Sequence, residues 1–248
     1  MSQSLDRGLR ILDEIAAGRT TLGEMSESLG VHKSTVLRLL VTLQQHHFVH
    51  REDAHHYALG RRLFDLAAFA LESREVIALA RPAMRRLQHA AGHSVYLATY
   101  ETEEGVVVVV EVAAGRGSFQ MAVRVGEALP LHATASGKTL AAALPEDELG
   151  AILARAPLQV FTARTIGDAE SLNAELAKVT ASGFALELAE HEDYINAVAA
   201  PVRDSNGRVV AAIALTAPLV SLDARGLTAF TPQLLAACDE VSRGLGWQ

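Results

Sequence analysis

The segment from Thr20 to His47 constrains this chain more than any other. Thr20 or Thr21 can cap a helix; with Glu24 three residues after Thr21 the pattern is a capping box. Leu22, Met25 and Leu29 follow at helical spacing, and Gly30 supplies a stop. Val31 and His32 leave room only for a tight turn before residues 33–47, where Val36, Leu39, Leu40 and Leu43 take the i, i+3, i+4, i+7 spacing of one buried face. A short capped helix, a glycine turn and a second helix with one polar side make a helix-turn-helix. Upstream, Leu5, Leu9, Leu12 and Ile15 predict an amphipathic helix over 4–17, ended by Gly18. Downstream, 48–51 and 55–59 alternate apolar with polar around a turn-like 52–54, which predicts a hairpin in the position of a wing.

On the second helix Lys33, Ser34, Thr35, Arg38 and Thr42 lie off the apolar stripe. That face suits the major groove: arginine forks onto guanine, and serine and threonine donate to phosphates or base edges. The alternative is an ordinary three-helix cap with a solvated polar face; the hairpin that follows favours the DNA-facing reading. A net charge of -7 argues against nucleic acid only if it is spread evenly, and it is not. Residues 1–74 carry nine Lys/Arg and nine Asp/Glu, so the acidity belongs to the remainder. Within 31–62 five basic residues meet only Glu52 and Asp53, and six of the ten histidines fall there. Arg51, His55 and His56 extend the candidate DNA surface onto the wing.

Residues 60–92 are helical in composition, with a break near Ser73 and a proline, Pro82, that starts or kinks a later turn. Beyond them the chain mixes strands and helices. Strands are expected at 94–100 and 106–112 around Glu103-Glu104-Gly105, the five consecutive valines suiting burial on both faces. Others are expected at 118–125, and at 197–202 and 209–216 around Asp204-Ser205-Asn206-Gly207. Helices are expected at 134–144, 145–154, 168–182 and 225–245. The order implies a mostly antiparallel sheet flanked by helices. The domains expected are a DNA-binding unit over 1–60, a linker helix over 61–74 and a second domain over 75–248. No apolar run approaches the roughly 18 residues of a membrane span and no secretory signal is visible, so a cytoplasmic chain without a membrane partner is expected. The single cysteine, Cys238, is expected to fill core.

Enzyme motifs fail on spacing. Gly137-Lys138-Thr139 resembles the end of a phosphate-binding loop, but His132 stands where that loop needs glycine. His191-Glu192 lacks the second histidine of a zinc-protease helix, and no Gly-x-Ser-x-Gly elbow occurs. His132 and Ser136, as i, i+4 neighbours, serve capping and packing more often than catalysis. No catalytic residue, cofactor or metal site is assigned. Two rival readings remain open: a small-molecule hydrolase with His132 as base, and a metal-sensing regulator using His46, His47, His50, His55 and His56.

The runs Leu9-Arg10-Ile11-Leu12, Thr21-Leu22-Gly23-Glu24, Lys33 through Leu43 and Tyr57-Ala58-Leu59-Gly60 resemble the winged helix-turn-helix of IclR-type bacterial transcriptional regulators. Pro130 through Lys138, Gly183-Phe184-Ala185 and Ala199-Ala200-Pro201-Val202 with Asp204 and Gly207 look like that family's effector-binding domain, so the resemblance spans the chain. It implies an α+β protein: a winged helix-turn-helix followed by a GAF-like α/β domain, a mostly antiparallel sheet flanked by helices. It also implies a homodimer or dimer of dimers, usually a repressor, that binds operator DNA and changes affinity when a small organic effector enters the second domain. The family's effector is held around the segment matching Ala135 and Ser136, at a helix start that favours an anion. Side chains matching Glu187, Ile195, Ala197, Ala214 and Thr216 close the pocket. Ala197 and Ala214 stand where some members carry cysteine and serine, which implies a more apolar ligand, an organic acid or aromatic. His47 occupies the family's usual glycine position before the wing.

Overall fold

The computed structural model describes residues 3–72, 75–101, 106–116, 123–155 and 158–248. The chain divides into two compact units, Met1–Ser73 and Arg74–Gln248. The first holds α1 (Gln3–Ala16), α2 (Leu22–Leu29), α3 (Lys33–Gln45), the hairpin β1 (Val49–Arg51) and β2 (Tyr57–Leu59), and α4 (Arg61–Glu72).

The capping box forms as the sequence predicts: the Glu24 N–H donates to Thr21 Oγ1 at 3.3 Å, and Glu24 Oε2 accepts from the Thr21 N–H at 2.9 Å. Gly30 takes the left-handed conformation at φ 63°, which lets the Val31 N–H return to the Ser26 carbonyl at 3.2 Å and closes α2. Ile11, Ile15, Met25, Leu29, Val36 and Leu40 meet Val49 and Tyr57 of the hairpin in one core. The Tyr57 N–H donates to the Thr20 carbonyl at 2.9 Å, so the second wing strand is stitched to the segment entering α2.

The second helix of the pair is shorter than its apolar spacing predicts. It stops at Gln45 because His47 turns left-handed at φ 61°, sending the chain back into β1. Gly60 explains why the backbone must pass here so closely: a Cβ there would stand 2.2 Å from the His47 carbonyl oxygen.

The second unit carries α5 (Glu75–Ala91), β3 (Ser94–Glu101), β4 (Val106–Ala113), β5 (Ala128–Leu129), α6 (Ala135–Ala141), α7 (Glu146–Arg155), α8 (Ala169–Ser182), β6 (Ala185–Leu188), β7 (Ile195–Arg203), β8 (Val209–Pro218) and α9 (Ala224–Gly244). Among the described residues its six strands run in the order β5-β4-β3-β8-β7-β6, each pair antiparallel. Because side chains alternate across a strand, Val95, Leu97, Val198, Ala200, Ile213 and Leu215 share one buried face. The helices α5 and α9 pack there, and Cys238 of α9 is core, its thiol pushed up to about 12 by burial. Tyr96, Ala98, Ala197, Ala199, Ala212 and Ala214 share the other face, with Ala135 and Leu140 of α6, Leu149 of α7 and Leu172 of α8. Five alanines on that face of the sheet let the α6 backbone approach it closely.

Several expectations change. The valine run of β4 is not buried on both faces; Val107, Val109 and Val110 are buried but Val106 and Val108 only partly, since the outer neighbour β5 has just two residues. Residues 123–125 are coil and turn rather than the end of a strand, and the rest of the 118–125 expectation lies outside the described residues. The Glu103-Glu104-Gly105 turn and the break near Ser73 also lie outside them. Pro82 starts nothing: it sits inside α5. Among the described residues no helix is long and apolar enough to cross a membrane.

Candidate functional sites

In the first unit α3 presents Lys33, Ser34, Arg38 and Thr42 exposed, with Thr35 half-buried beside them. This follows from the stripe on the opposite side, where Val36 and Leu40 are fully buried. His32 caps α3, its Nδ1 accepting from the Ser34 N–H at 3.3 Å. Thr42 Oγ1 donates back to the Arg38 carbonyl at 3.2 Å, whereas the Arg38 guanidinium has no hydrogen bond or ion pair among the described residues. Leu37 and Val41, each 44% exposed, interleave this polar face with methyl groups of the kind that can contact thymine.

The wing is held by Asp53. Its carboxylate accepts from the backbone N–H of His55 at 2.7 Å and of His56 at 2.8 Å, and lies 2.8 Å from the His56 ring; these bonds hold it well below the usual range, at about 2. Arg51 donates to the Ala54 carbonyl, and its guanidinium lies 6.0 Å from the Tyr57 ring centroid. Arg51, His55 and His56 are exposed, but His56 is engaged by Asp53 and Arg51 by the turn, so neither is as unencumbered as Arg38. Among the described residues no group of three or more His, Cys, Asp or Glu is gathered to hold a metal ion, and the wing histidines form no such group.

In the second unit strand register brings the other predicted residues together. Glu187 pairs with Ala197 and Ala197 with Thr216 along one row; Ala214 pairs with Tyr96 and Ala199 along the next. Ala135 opens α6 above them, its N–H donating to Glu187 Oε2 at 3.3 Å. Ser136 Oγ lies 3.1 Å from the Tyr96 hydroxyl. Ala135, Ser136, Glu187, Ile195, Ala197, Ala214 and Thr216 are all buried, Ile195 the most exposed at 4%. The cluster is therefore a buried polar group of side chains set against small methyl-bearing residues.

Its electrostatics are unusual. Burial raises the Glu187 carboxyl to about 8, and the Glu190 charge adds to the rise, against the Ala135 N–H and Lys138, which pull it down. At neutral pH the group is largely protonated and able to donate. Burial, then the Glu187 charge, likewise pushes the Tyr96 hydroxyl up. Lys138 is wholly buried, with Nζ 2.7 Å from both Glu190 oxygens and 3.5 Å from Glu175. Sequence reasoning missed Tyr96 and the Lys138–Glu190 pair. Tyr96 could be found only through strand register, and Lys138 appeared in the sequence as the tail of an incomplete phosphate loop and the end of the Pro130–Lys138 run, with nothing pointing to Glu190. His132 is buried with Nε2 2.9 Å from the Gln159 carbonyl and its ring stacked on Phe161; no hydrogen bond joins it to Ser136. His132 is thus not joined to Ser136 as base to nucleophile.

Comparison with known proteins agrees over the whole chain. Residues 4–53 match the family model of the IclR helix-turn-helix domain and residues 68–243 that of the bacterial transcriptional regulator IclR C-terminal domain. The chain is 34% identical over 248 residues to the HTH-type transcriptional regulator XynR of Escherichia coli K12, covering 99% of this chain and 98% of that protein. It is 29% identical over 247 residues to the transcriptional repressor IclR of the same strain, covering 98% and 90%. The crystal structure of Thermotoga maritima IclR matches with a TM-score of 0.86 at 26% identity over 100% of both chains.

Proposed function

This chain belongs to the IclR family of bacterial transcriptional regulators, which makes it a ligand-responsive DNA-binding regulator, and on that premise we propose how it works. It is a repressor whose residues 1–60 bind a pseudo-palindromic operator, joined by a linker helix over 61–74 to a sensing and dimerisation domain over 75–248. As a homodimer or dimer of dimers it presents paired α3 helices to paired half-sites. Arg38 reads a guanine, Lys33, Ser34, Thr35 and Thr42 contact bases or phosphates beside it, and Arg51, His55 and His56 lie along the backbone. The single observation that carries this reading is the exposed polar face of α3, with an Arg38 guanidinium at its centre that makes no hydrogen bond or ion pair among the described residues.

The effector is a small organic acid or aromatic. A largely protonated Glu187 donates to a carboxylate instead of repelling it, with the Ala135 N–H and the Ser136–Tyr96 hydroxyl pair as further polar partners. Ala197 and Ala214 leave a methyl floor for an apolar body, with Ile195 and Thr216 at its edge. Since the cluster is buried, entry requires α6 to shift on the sheet, and that shift is the coupling step. A thermal-shift screen of small organic acids and aromatics tests this: a ligand at a hundred times its Kd stabilises by about 2.7 kcal/mol. A binder whose effect survives in Glu187→Ala and Ser136→Trp variants would contradict the assignment of the pocket.

A further inference from the structure

The Glu187 cluster lies at the start of α6; the other end of the same short helix borders a different cavity. A groove of about 800 Å³ opens where α6 runs into α7, bounded by the end of α8 and the β7–β8 hairpin. That volume lies within the range of sites for small organic molecules. None of Ala135, Ser136, Glu187, Ile195, Ala197, Ala214 or Thr216 lines it. Apolar side chains line part of it, from Leu140 and Leu144 on one side to Val179 and Val209 on the other, with Thr139, Thr180 and Tyr100 among them. Its charged groups are two arginines, Arg203 and Arg208, against one acid, Glu148.

The arginines are placed by the hairpin turn. Asp204 Oδ1 accepts from the Asn206 N–H at 2.8 Å and the Arg208 N–H at 3.0 Å, so this carboxylate is committed to holding the turn. Arg203 Nη1 donates to the Gly207 carbonyl at 3.1 Å, and its guanidinium lies 6.0 Å from the Trp247 ring centroid. Gly207, at φ 78°, is where that indole presses on the turn; a Cβ there would stand 2.8 Å from the ring. The Arg208 side chain has no hydrogen bond or ion pair among the described residues. A trough with apolar patches and an Arg208 guanidinium that makes no hydrogen bond or ion pair among the described residues, the nearby Asp204 carboxylate being turned to the backbone of the hairpin turn, complements a molecule with a hydrocarbon body and one anionic end.

We propose that this groove is a second small-molecule site, separate from the Glu187 pocket, that takes an organic anion with an apolar body and anchors its charge on Arg208. Thr139 ties the two sites together: it lines the groove, and its hydroxyl donates to the Ala135 carbonyl at 2.9 Å. Occupancy of the groove therefore bears on the helix that opens the first pocket.

Trp247 is the only tryptophan in the chain, which gives the groove its own reporter. The full-length protein is titrated with anilinonaphthalene sulfonate, exciting Trp247 and reading sensitised probe emission, with octanoate as competitor. Saturable emission displaced by octanoate is expected. Arg208→Glu should weaken the probe about tenfold or more by reversing the anchoring charge, and Ala143→Phe should weaken it by filling the trough. Both variants are compared with the parent by thermal melting; should one fail to fold, the other decides. Unchanged affinity in the folded variants, or no saturable emission from the parent, overturns the proposal. So does equal weakening by Glu187→Gln, which would put the probe in the first pocket.

Discussion

At the residue scale two positions carry costs that can be measured. His47 holds a left-handed backbone with a full side chain, a conformation that costs a non-glycine residue about 1–2 kcal/mol. His47→Gly relieves it, less the entropy that glycine loses on folding, so a net gain of about 0.5–1 kcal/mol in chemical denaturation is expected. Gly60→Ala should do the opposite, costing about 1–3 kcal/mol, because its Cβ meets the His47 carbonyl and backbone cannot give way as a side chain can. Glu187 supplies the pH dependence. Its carboxyl rises from 4.5 to about 8 on folding, so between those values the folded protein holds a proton that the unfolded chain has released. Stability from this group is fully present below pH 4.5 and is lost as pH rises through 8, with a slope of at most about 1.4 kcal/mol per unit. The difference between the parent and Glu187→Gln in melting experiments from pH 5 to 9 isolates it: the parent should lose ground to the variant as pH rises. A parallel pair of profiles would mean the carboxyl is already ionised.

At the element scale the segment that opened the sequence argument also folds most nearly as its residues dictate, because each signal in it is local. Thr21 and Glu24 are one turn apart, Gly30 sits where a left-handed residue is needed, and the α3 stripe is read from four leucine and valine positions. Where the sequence misleads, distant contacts decide. The spacing of 33–47 continues into the histidines, but the wing must pair β1 with β2 and packs beside Gly60, so α3 ends early. The strand β6 has only four residues, and its place at the sheet edge depends on pairing with β7. The resemblance names the residues of the buried Glu187 cluster, but their packing is not legible in the sequence, since the 3.3 Å approach of Ala135 to Glu187 spans 52 residues. For α3 the prediction separates reading from positioning. Arg38→Ala should cost about 1–3 kcal/mol on the operator and relax preference at one base pair. Lys33→Ala should weaken all sequences alike and lower the salt slope by about 1. Equal effects of the two on specific and random duplex would remove Arg38 as the base-reading residue.

At the scale of the whole molecule the charge distribution and the function fit together. The acidity of the chain belongs to residues 75–248, so in the proposed reading DNA binding rests on a small basic surface of the first unit. A ligand that prefers one arrangement by about 1–3 kcal/mol changes operator affinity about 5- to 150-fold, and by reciprocity operator binding changes ligand affinity by the same factor. The most direct test is a fluorescence-anisotropy titration of the full chain against a duplex selected from genomic fragments, repeated across salt concentrations for the parent and Arg38→Ala. The account predicts a saturable complex whose log affinity falls linearly with log salt and which Arg38→Ala greatly weakens. A parent that forms no salt-sensitive complex with any selected fragment, or an Arg38→Ala protein that binds as tightly as the parent, would contradict it.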